Sequence, residues 1–131
     1  MSYSNFSIII PVYNEMENIP ILIEEINKTL QDNYNYEIIF IDDCSKDNSY
    51  QILNQYKNKY QIRIYKNKKN LGQSYSINKG VNNATNNIIV TLDADGQNDP
   101  KDIPTLIDTY KKQNVKLLGG IRKKRRDNLI K

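Results

Sequence analysis

The chain has 131 residues, with 19 lysines and arginines against 15 aspartates and glutamates, one cysteine and no histidine. This composition excludes a Ser-His or Cys-His catalytic pair, a zinc site built on histidine, and an internal disulfide. The chemistry left to the chain is that of carboxylates, amides, hydroxyls and basic side chains. Carboxylates grouped on loops are suited to hard cations such as Mg²⁺ or Mn²⁺.

The first half of the chain alternates between strand and helix patterns. A buried strand is predicted at 6–12, because three consecutive isoleucines form a continuous β-branched run. Apolar residues then recur at helical spacing up to Leu30, with Asn18 as the expected N-cap. A second buried strand is predicted at 37–41, and an amphipathic helix around Leu53 follows it.

The second half continues this alternation. Its predicted elements are, in order, a strand at 61–65, a helix at 73–84, a strand at 87–92, a helix capped by Asp99 that reaches 112, and a strand at 115–118. Alternation at this spacing predicts a Rossmann-like parallel α/β sheet flanked by helices, in one domain.

Polar clusters directly follow three of the predicted strands. They are Tyr13-Asn14-Glu15, Asp42-Asp43 and Asp93-Ala94-Asp95. Ligands of open parallel sheets bind at the carboxyl ends of the strands. We therefore expect these three clusters to meet at one edge of the sheet.

Each cluster has a functional and a structural interpretation. Tyr13 could pack near a ribose or base, and Glu15 could accept a hydrogen bond from it, or the stretch is a strand-to-loop junction. Asp93 and Asp95, with Gln97, have the spacing to hold one divalent cation, or they form a solvated acidic turn. Asp42 could accept hydrogen bonds from a ribose or base, or it could belong to the start of the next helix, with Ser45 or Asp47 as the cap.

The motifs together resemble the family-2 glycosyltransferases of GT-A fold, and within them the polyprenyl-phosphate sugar transferases, such as dolichol-phosphate mannose synthase. The matching stretches are 8–15, 41–47, 70–74, 93–100 and Gly120-x-Arg122-x-x-Arg125-x-Asp127. The stretches lie in the order and spacing of the family and run from 6 to about 127.

The resemblance implies a role for each matching position. Those implied for nucleotide-sugar binding are Pro11, Tyr13, Asn14, Glu15, Asp42, Asp43, Asp93, Ala94 and Asp95. Those implied for the metal, Mg²⁺ or Mn²⁺, are Asp93, Asp95 and Gln97. Those implied for catalysis are Asp95, Arg122 and Arg125, the arginines through a phosphate, which their planar fork suits.

The implied reaction is an inverting, metal-dependent transfer of a sugar from a GDP- or UDP-sugar to a polyprenyl or dolichyl phosphate. Such an acceptor is already anionic at neutral pH, so the absence of histidine is no obstacle. The alternatives are a glycan hydroxyl acceptor, which calls for a carboxylate base, and a nucleotide-binding module without turnover.

The distribution of charge separates a mildly acidic body from a basic tail. Residues 111–131 hold nine basic side chains and one acidic one, whereas residues 1–110 hold ten basic and fourteen acidic. The basic tail suits phosphate or anionic lipid, or else is a solvated terminus. Nucleic acid is not an expected partner, because the body is acidic and lacks a helix-turn-helix or RNP motif.

Two expectations concern location and extent. No stretch approaches the roughly 20 apolar residues of a membrane span, and no signal peptide is apparent, so we expect a cytoplasmic protein, peripheral at the membrane face. Family members continue past Asp127, so residues 1–131 look like a single family-2 domain truncated at its C-terminus. A sheet cut short would leave an open edge, which favours homo-oligomers.

Overall fold

The computed structural model describes residues 5–31, 33–113 and 121–123, with side chains for 5–31 and 33–111. Its elements are β1 (Asn5–Val12), α1 (Ile19–Leu30), β2 (Asn35–Asp42), α2 (Ser49–Tyr56), β3 (Ile62–Lys66), α3 (Gln73–Asn83), β4 (Ile88–Thr91), a 3₁₀ turn (Pro100–Asp102), α4 (Ile103–Gln113) and β5 (Ile121–Lys123). The strand predicted at 115–118 lies outside the described residues. Across the described part of the chain, no helix is long and apolar enough to cross a membrane.

The strands form one sheet in the order β3-β2-β1-β4-β5. β1 pairs in parallel with both β2 and β4, and β2 pairs in parallel with β3. The predicted Rossmann-like parallel sheet is confirmed for these four strands. β5 departs from it, because it runs antiparallel to β4. Hydrophobic patterning shows that a strand is buried, but it does not encode the direction in which a three-residue edge strand enters the sheet.

The order of the strands places a topological switch point between β1 and β4. The chain adds β2 and then β3 on one side of β1, and afterwards crosses to the other side to add β4. In open α/β sheets, ligands bind in the crevice that such a reversal leaves beyond the carboxyl ends of the strands.

Both faces of β1 are buried, which explains its continuous run of isoleucines. Ile8 and Ile10 pack into a core that includes α1, α2 and α4, whereas Ile9 packs into a second core beneath α3. All three isoleucines are fully buried. The predicted burial of β1 is thereby confirmed.

The two predicted N-caps differ in outcome. Asp99 accepts a hydrogen bond from the backbone N–H of Lys101 at 3.0 Å, so its predicted role is confirmed. Asn18 is the N-cap residue of α1, as predicted, but its side chain makes no capping hydrogen bond. Its side-chain amide instead donates to Glu15 Oε1 at 2.8 Å, since Glu15 offers a carboxylate within reach.

Helix α3 approaches the sheet through Gly80. A Cβ atom built on Gly80 would lie 2.5 Å from Cγ2 of Ile9 and 2.7 Å from Cδ1 of Ile41. These distances are shorter than any ordinary carbon contact. The absence of a side chain at position 80 therefore determines how closely α3 covers the sheet.

We expect Gly80→Ala to lower the free energy of unfolding by about 1–3 kcal/mol, the usual cost of overpacking a core. Alanine favours helix by up to about 1 kcal/mol over glycine, but the Ile9 methyl belongs to a central strand that cannot retreat. Urea unfolding measures the change. Asn82→Ala, at an exposed site on the same helix, is the control and should be neutral or slightly stabilising. An unchanged midpoint for Gly80→Ala would contradict this packing.

A carboxylate network ties the amino end of the sheet to the loop before β4. Glu37 Oε2 accepts hydrogen bonds from Ser7 Oγ at 2.6 Å, Thr85 N at 2.7 Å and Thr85 Oγ1 at 2.9 Å. Arg63 Nη1 donates to Glu37 Oε1 at 3.1 Å. Burial raises the pKa of Glu37, but these hydrogen bonds and the charge of Arg63 outweigh it and hold the pKa below its ordinary value.

Glu37→Gln should reduce stability at neutral pH by about 1–3 kcal/mol, because it removes the charge of a buried carboxylate that accepts four hydrogen bonds. A carboxylate with a depressed folded-state pKa adds stability above its unfolded pKa, which is about 4.5. That stability is lost as the pH falls through the folded-state value. The difference between wild type and Glu37→Gln in urea midpoint should therefore narrow below about pH 4.5. Glu25→Gln, exposed on α1, is the control, and parallel acid profiles for wild type and Glu37→Gln would refute the prediction.

Candidate functional site

A cleft of about 460 Å³ lies at the carboxyl edge of the sheet, where β1 and β4 end. The predicted residues among its lining are Pro11, Tyr13, Glu15, Asp43, Asp93, Ala94, Asp95 and Gln97. The three polar clusters thus meet at one edge, as the sequence predicts. Asn14 and Asp42 are not among the lining residues.

A larger cavity of about 820 Å³ lies at the opposite, amino end of the sheet. It is lined mainly by amides and tyrosines, and Glu37 on its wall is already occupied by the network described above. Ligands of parallel sheets bind at the carboxyl ends of strands. The smaller cleft is therefore the candidate site.

The loop after β1 provides one wall of the cleft. The Tyr13 side chain is 40% exposed and stands at the rim. The backbone of Glu15 is held in place, because its carbonyl oxygen accepts the N–H groups of Asn18 and Ile19 at 3.0 and 3.2 Å. Between them Asn14 has a φ of 55°, in the left-handed region, and its side chain turns toward the loop after β2.

Asp42 and Asp43 end β2 in different environments. Asp42 is fully buried, and its Oδ2 accepts the N–H of Ser45 at 3.2 Å. Its Oδ1 has no hydrogen-bond partner within the described part of the chain. A buried acceptor without a partner is costly. Asp42 does not line the cleft, so the structure leaves this buried acceptor out of contact with a ligand there.

Asp43 holds the loop that leads into α3. Its Oδ1 accepts Leu71 N at 2.8 Å and Asn67 Nδ2 at 2.9 Å, and its Oδ2 accepts Gly72 N at 2.9 Å. Gly72 has a φ of 98°, a conformation that favours glycine. Both oxygens of Asp43 are thus committed to the loop.

This loop supplies lining residues to which the sequence reasoning assigned no role. They are Asn70, Gly72 and Gln73. Their stretch, 70–74, matches the family, but a family match alone does not show that it folds over the cleft. The signal that could have shown it is Asn-Leu-Gly before a helical pattern, which places a left-handed glycine beside the site.

Asp93 and Asp95 follow β4 on the opposite wall. Asp93 is held twice, because its N–H donates to Asn98 Oδ1 at 2.7 Å and its Oδ1 accepts Gln73 Nε2 at 2.9 Å. Asp95 Oδ1 accepts the N–H of Gln97 at 3.0 Å. These hydrogen bonds hold both carboxylates in place, and both residues line the cleft.

The oxygen atoms on this wall are suitable ligands for a hard divalent cation. Among the described residues no group of three or more His, Cys, Asp or Glu gathers as a metal cage. The cleft instead offers the carboxylates of Asp93 and Asp95 and the amide of Gln97. Mg²⁺ commonly takes one or two carboxylates and completes its shell with water and substrate phosphate.

The loop after β2 contains a second constrained carboxylate. Asp47 accepts hydrogen bonds from Ser49 N at 2.9 Å, Ser49 Oγ at 2.6 Å and Met16 N at 3.3 Å. Burial raises the pKa of Asp47, but these hydrogen bonds outweigh it, so its pKa lies below the ordinary value. Asp47 therefore stays charged and organises the start of α2.

The two predicted arginines are not placed at the cleft by the structure. Arg122 lies on β5, paired in register with Ile89 of β4, and its side chain is outside the described set. Arg125 lies wholly outside the described residues. Their roles stay predictions.

Two of the sequence relatives are sugar transferases from bacteria. The chain is 38% identical to the undecaprenyl-phosphate 4-deoxy-4-formamido-L-arabinose transferase of Pectobacterium carotovorum, over 97% of this chain and 39% of that protein. It is 40% identical to the protein of the same name from Yersinia enterocolitica, over 95% of this chain and 39% of that one. The chain thus spans about two fifths of the length of these relatives.

Solved structures share the fold. S. aureus TarS 1–349 superposes with a TM-score of 0.74 at 23% identity, over 86% of this chain and 34% of that one. The mannosyltransferase PcManGT from Pyrobaculum calidifontis, in complex with GDP-Man and Mn²⁺, gives 0.72 at 21% identity, over 84% and 32%. The predicted GT-A architecture is confirmed by these likenesses.

The family itself follows from a match along nearly the whole chain. Residues 7–130 match the profile described as glycosyl transferase family 2. That range contains all three polar clusters and every lining residue of the cleft. The chain belongs to glycosyl transferase family 2.

Proposed function

We propose that this chain is the donor-binding part of an inverting glycosyltransferase that moves a sugar from a nucleotide-sugar to a polyprenyl phosphate. The observation that carries the proposal is the cleft at the carboxyl edge, where Asp93 and Asp95 face the Tyr13–Glu15 wall. The names of the sequence relatives specify undecaprenyl phosphate as an acceptor, and TarS has been solved with UDP-GlcNAc.

The nucleoside is assigned to the side of the cleft formed by the first two strands. Pro11, Tyr13 and Glu15 line it, and Tyr13 offers a ring for a ribose or base. Asp42, which the family resemblance implies for the nucleotide, is fully buried and does not line the cleft, so its role stays a prediction.

The diphosphate is assigned to the opposite wall, through a divalent cation held by Asp93, Asp95 and Gln97. When bound, Mg²⁺ or Mn²⁺ neutralises the charge that develops on the departing nucleoside diphosphate. Gln73 and Asn98 fix Asp93 from both sides, which keeps its carboxylate in place before the donor arrives.

The transfer needs little proton chemistry from this chain. An oxygen of the acceptor phosphate forms the new bond to the anomeric carbon, and the bond from that carbon to the nucleoside diphosphate breaks, with inversion. The attacking oxygen is already anionic. Asp95, Arg122 and Arg125 are the proposed catalytic residues, the arginines by pairing with phosphate oxygens. The basic segment 111–131 is proposed to face an anionic membrane on its cytoplasmic side.

Asp93→Ala and Asp95→Ala should each weaken the binding of UDP or GDP measured with Mn²⁺. Even changes next to metal ligands weaken such sites about 10- to 100-fold, so the loss should exceed about tenfold. Isothermal titration calorimetry with UDP and GDP, each with and without Mn²⁺, measures it. Asp108→Ala, exposed on α4, is the matched control and should bind as wild type does.

The outcomes separate the candidate functions. Absence of binding by either nucleotide would overturn the donor site altogether. Metal-dependent binding with sugar transfer to a polyprenyl phosphate supports the proposal. Binding with transfer only to a glycan hydroxyl favours the other acceptor class, and binding without turnover favours a module that needs further elements for catalysis.

Asp43→Ala should disturb the cleft through its loop. The change leaves Leu71 N, Gly72 N and Asn67 Nδ2 without their acceptor, and such groups cost about 1–3 kcal/mol when left unsatisfied. We expect a lower urea midpoint and faster hydrogen exchange at the Leu71 and Gly72 amides. Asp108→Ala again serves as the control. Unchanged exchange at both amides in a folded Asp43→Ala protein would show that the loop does not depend on this carboxylate.

A further inference from the structure

We propose that Asn14 is a positioning residue of the donor cleft, which locks the loop after β1 to the loop after β2 and so places Tyr13 and Glu15. The inference rests on the proposed function. It reassigns Asn14, because the family resemblance implies that this residue contacts the nucleotide-sugar itself.

The side chain of Asn14 is already occupied by the neighbouring loop. Its Oδ1 accepts the backbone N–H of Lys46 at 2.7 Å and that of Asp47 at 3.3 Å. In return, its own backbone N–H donates to Ser45 Oγ at 2.9 Å. A single residue thus binds three successive positions of the loop that leads into α2.

The two residues after Asn14 extend the same interlock. Glu15 N donates to Ser49 Oγ at 2.9 Å, and Met16 N donates to Asp47 Oδ2 at 3.3 Å. Three consecutive N–H groups of the first loop therefore find side-chain acceptors in the second loop or at the first residue of α2. Neither loop has a strand partner for these groups, so the contacts replace the sheet hydrogen bonds that end with β1.

The backbone at Asn14 narrows the choice of residue further. Its φ of 55° lies in the left-handed region, which asparagine and aspartate tolerate better than other residues with a Cβ. Glycine would accept this backbone but would lack the acceptor, and alanine would lack both advantages. Aspartate would keep both, since one of its oxygens can replace Oδ1.

The contacts between residues 14–16 and 45–49 determine the geometry of this wall of the cleft. Tyr13 and Glu15, on either side of Asn14, line the cleft, whereas Asn14 does not. If the loops separate, both side chains lose the support that holds them at the rim. The role of Asn14 is therefore to prepare the site rather than to contact the donor.

The test compares Asn14→Asp, Asn14→Gly and Asn14→Ala by calorimetry with UDP and GDP in the presence of Mn²⁺. We expect Asn14→Asp to bind within about threefold of wild type, and Asn14→Ala about tenfold more weakly or worse, with Asn14→Gly between them. Hydrogen exchange at residues 14–16 and 46–47 should stay slow in Asn14→Asp and become fast in Asn14→Ala. Asn82→Asp and Asn82→Ala, exposed on α3, make the same changes away from the cleft.

The aspartate variant decides between the two roles. A residue in direct contact with an anionic donor would suffer most from a new negative charge, so a loss in Asn14→Asp greater than in Asn14→Ala overturns the inference. Equal exchange rates in wild type and Asn14→Gly would also overturn it. If wild type binds neither nucleotide, the proposed function has failed instead, and the exchange data alone still decide whether Asn14 holds the loops together.

Discussion

The burial of β1 on both faces is the constraint on which the rest of the structure depends. Ile8, Ile9 and Ile10 are each worth about 1.5–3 kcal/mol when removed from water, and they can all be buried only if helices cover both sides of the strand. Parallel neighbours on each side follow from the helical crossovers. The chain then has to leave the sheet at the carboxyl edge after each of the parallel strands, and this is where the polar loops collect.

The same kind of contact, a side chain that accepts two successive backbone N–H groups, orders two of the loops at that edge. Asn14 accepts two successive backbone N–H groups of the β2 loop, and Asp43 accepts two successive N–H groups of the loop before α3. Backbone groups beyond the end of a sheet have no ladder to join, so side-chain acceptors such as these satisfy them. Each loop is thereby tied to its neighbour, and the cleft wall is continuous from β1 to α3.

The sequence predicted the secondary-structure elements, and the edge of the sheet where the polar loops meet, better than it predicted the contacts of each side chain. Apolar runs and helical spacing report burial, which is why β1, β2 and the carboxyl-edge cleft could be anticipated. The sequence could not show whether Asn14 and Asp43 contact a ligand or hold a loop, because the same residue types do both. The antiparallel direction of β5 and the turn of Asn18 toward Glu15 were missed for a related reason, since both depend on which partner lies nearest in space.

The charge of the cleft explains why a cation belongs in the proposed mechanism. Glu15, Asp43, Asp93 and Asp95 all line the cleft that is assigned to the nucleotide-sugar, whose diphosphate is itself anionic. Without a counterion, these like charges would repel the donor by an amount that grows as water is excluded. Asp43 is compensated by three N–H donors, but Asp95 receives one and is exposed. Glu15 accepts a hydrogen bond from Asn18, and Asp93 accepts one from Gln73. Of these weakly compensated carboxylates, Asp93 and Asp95 follow the same strand, and there a divalent cation would turn the repulsion of the donor into attraction.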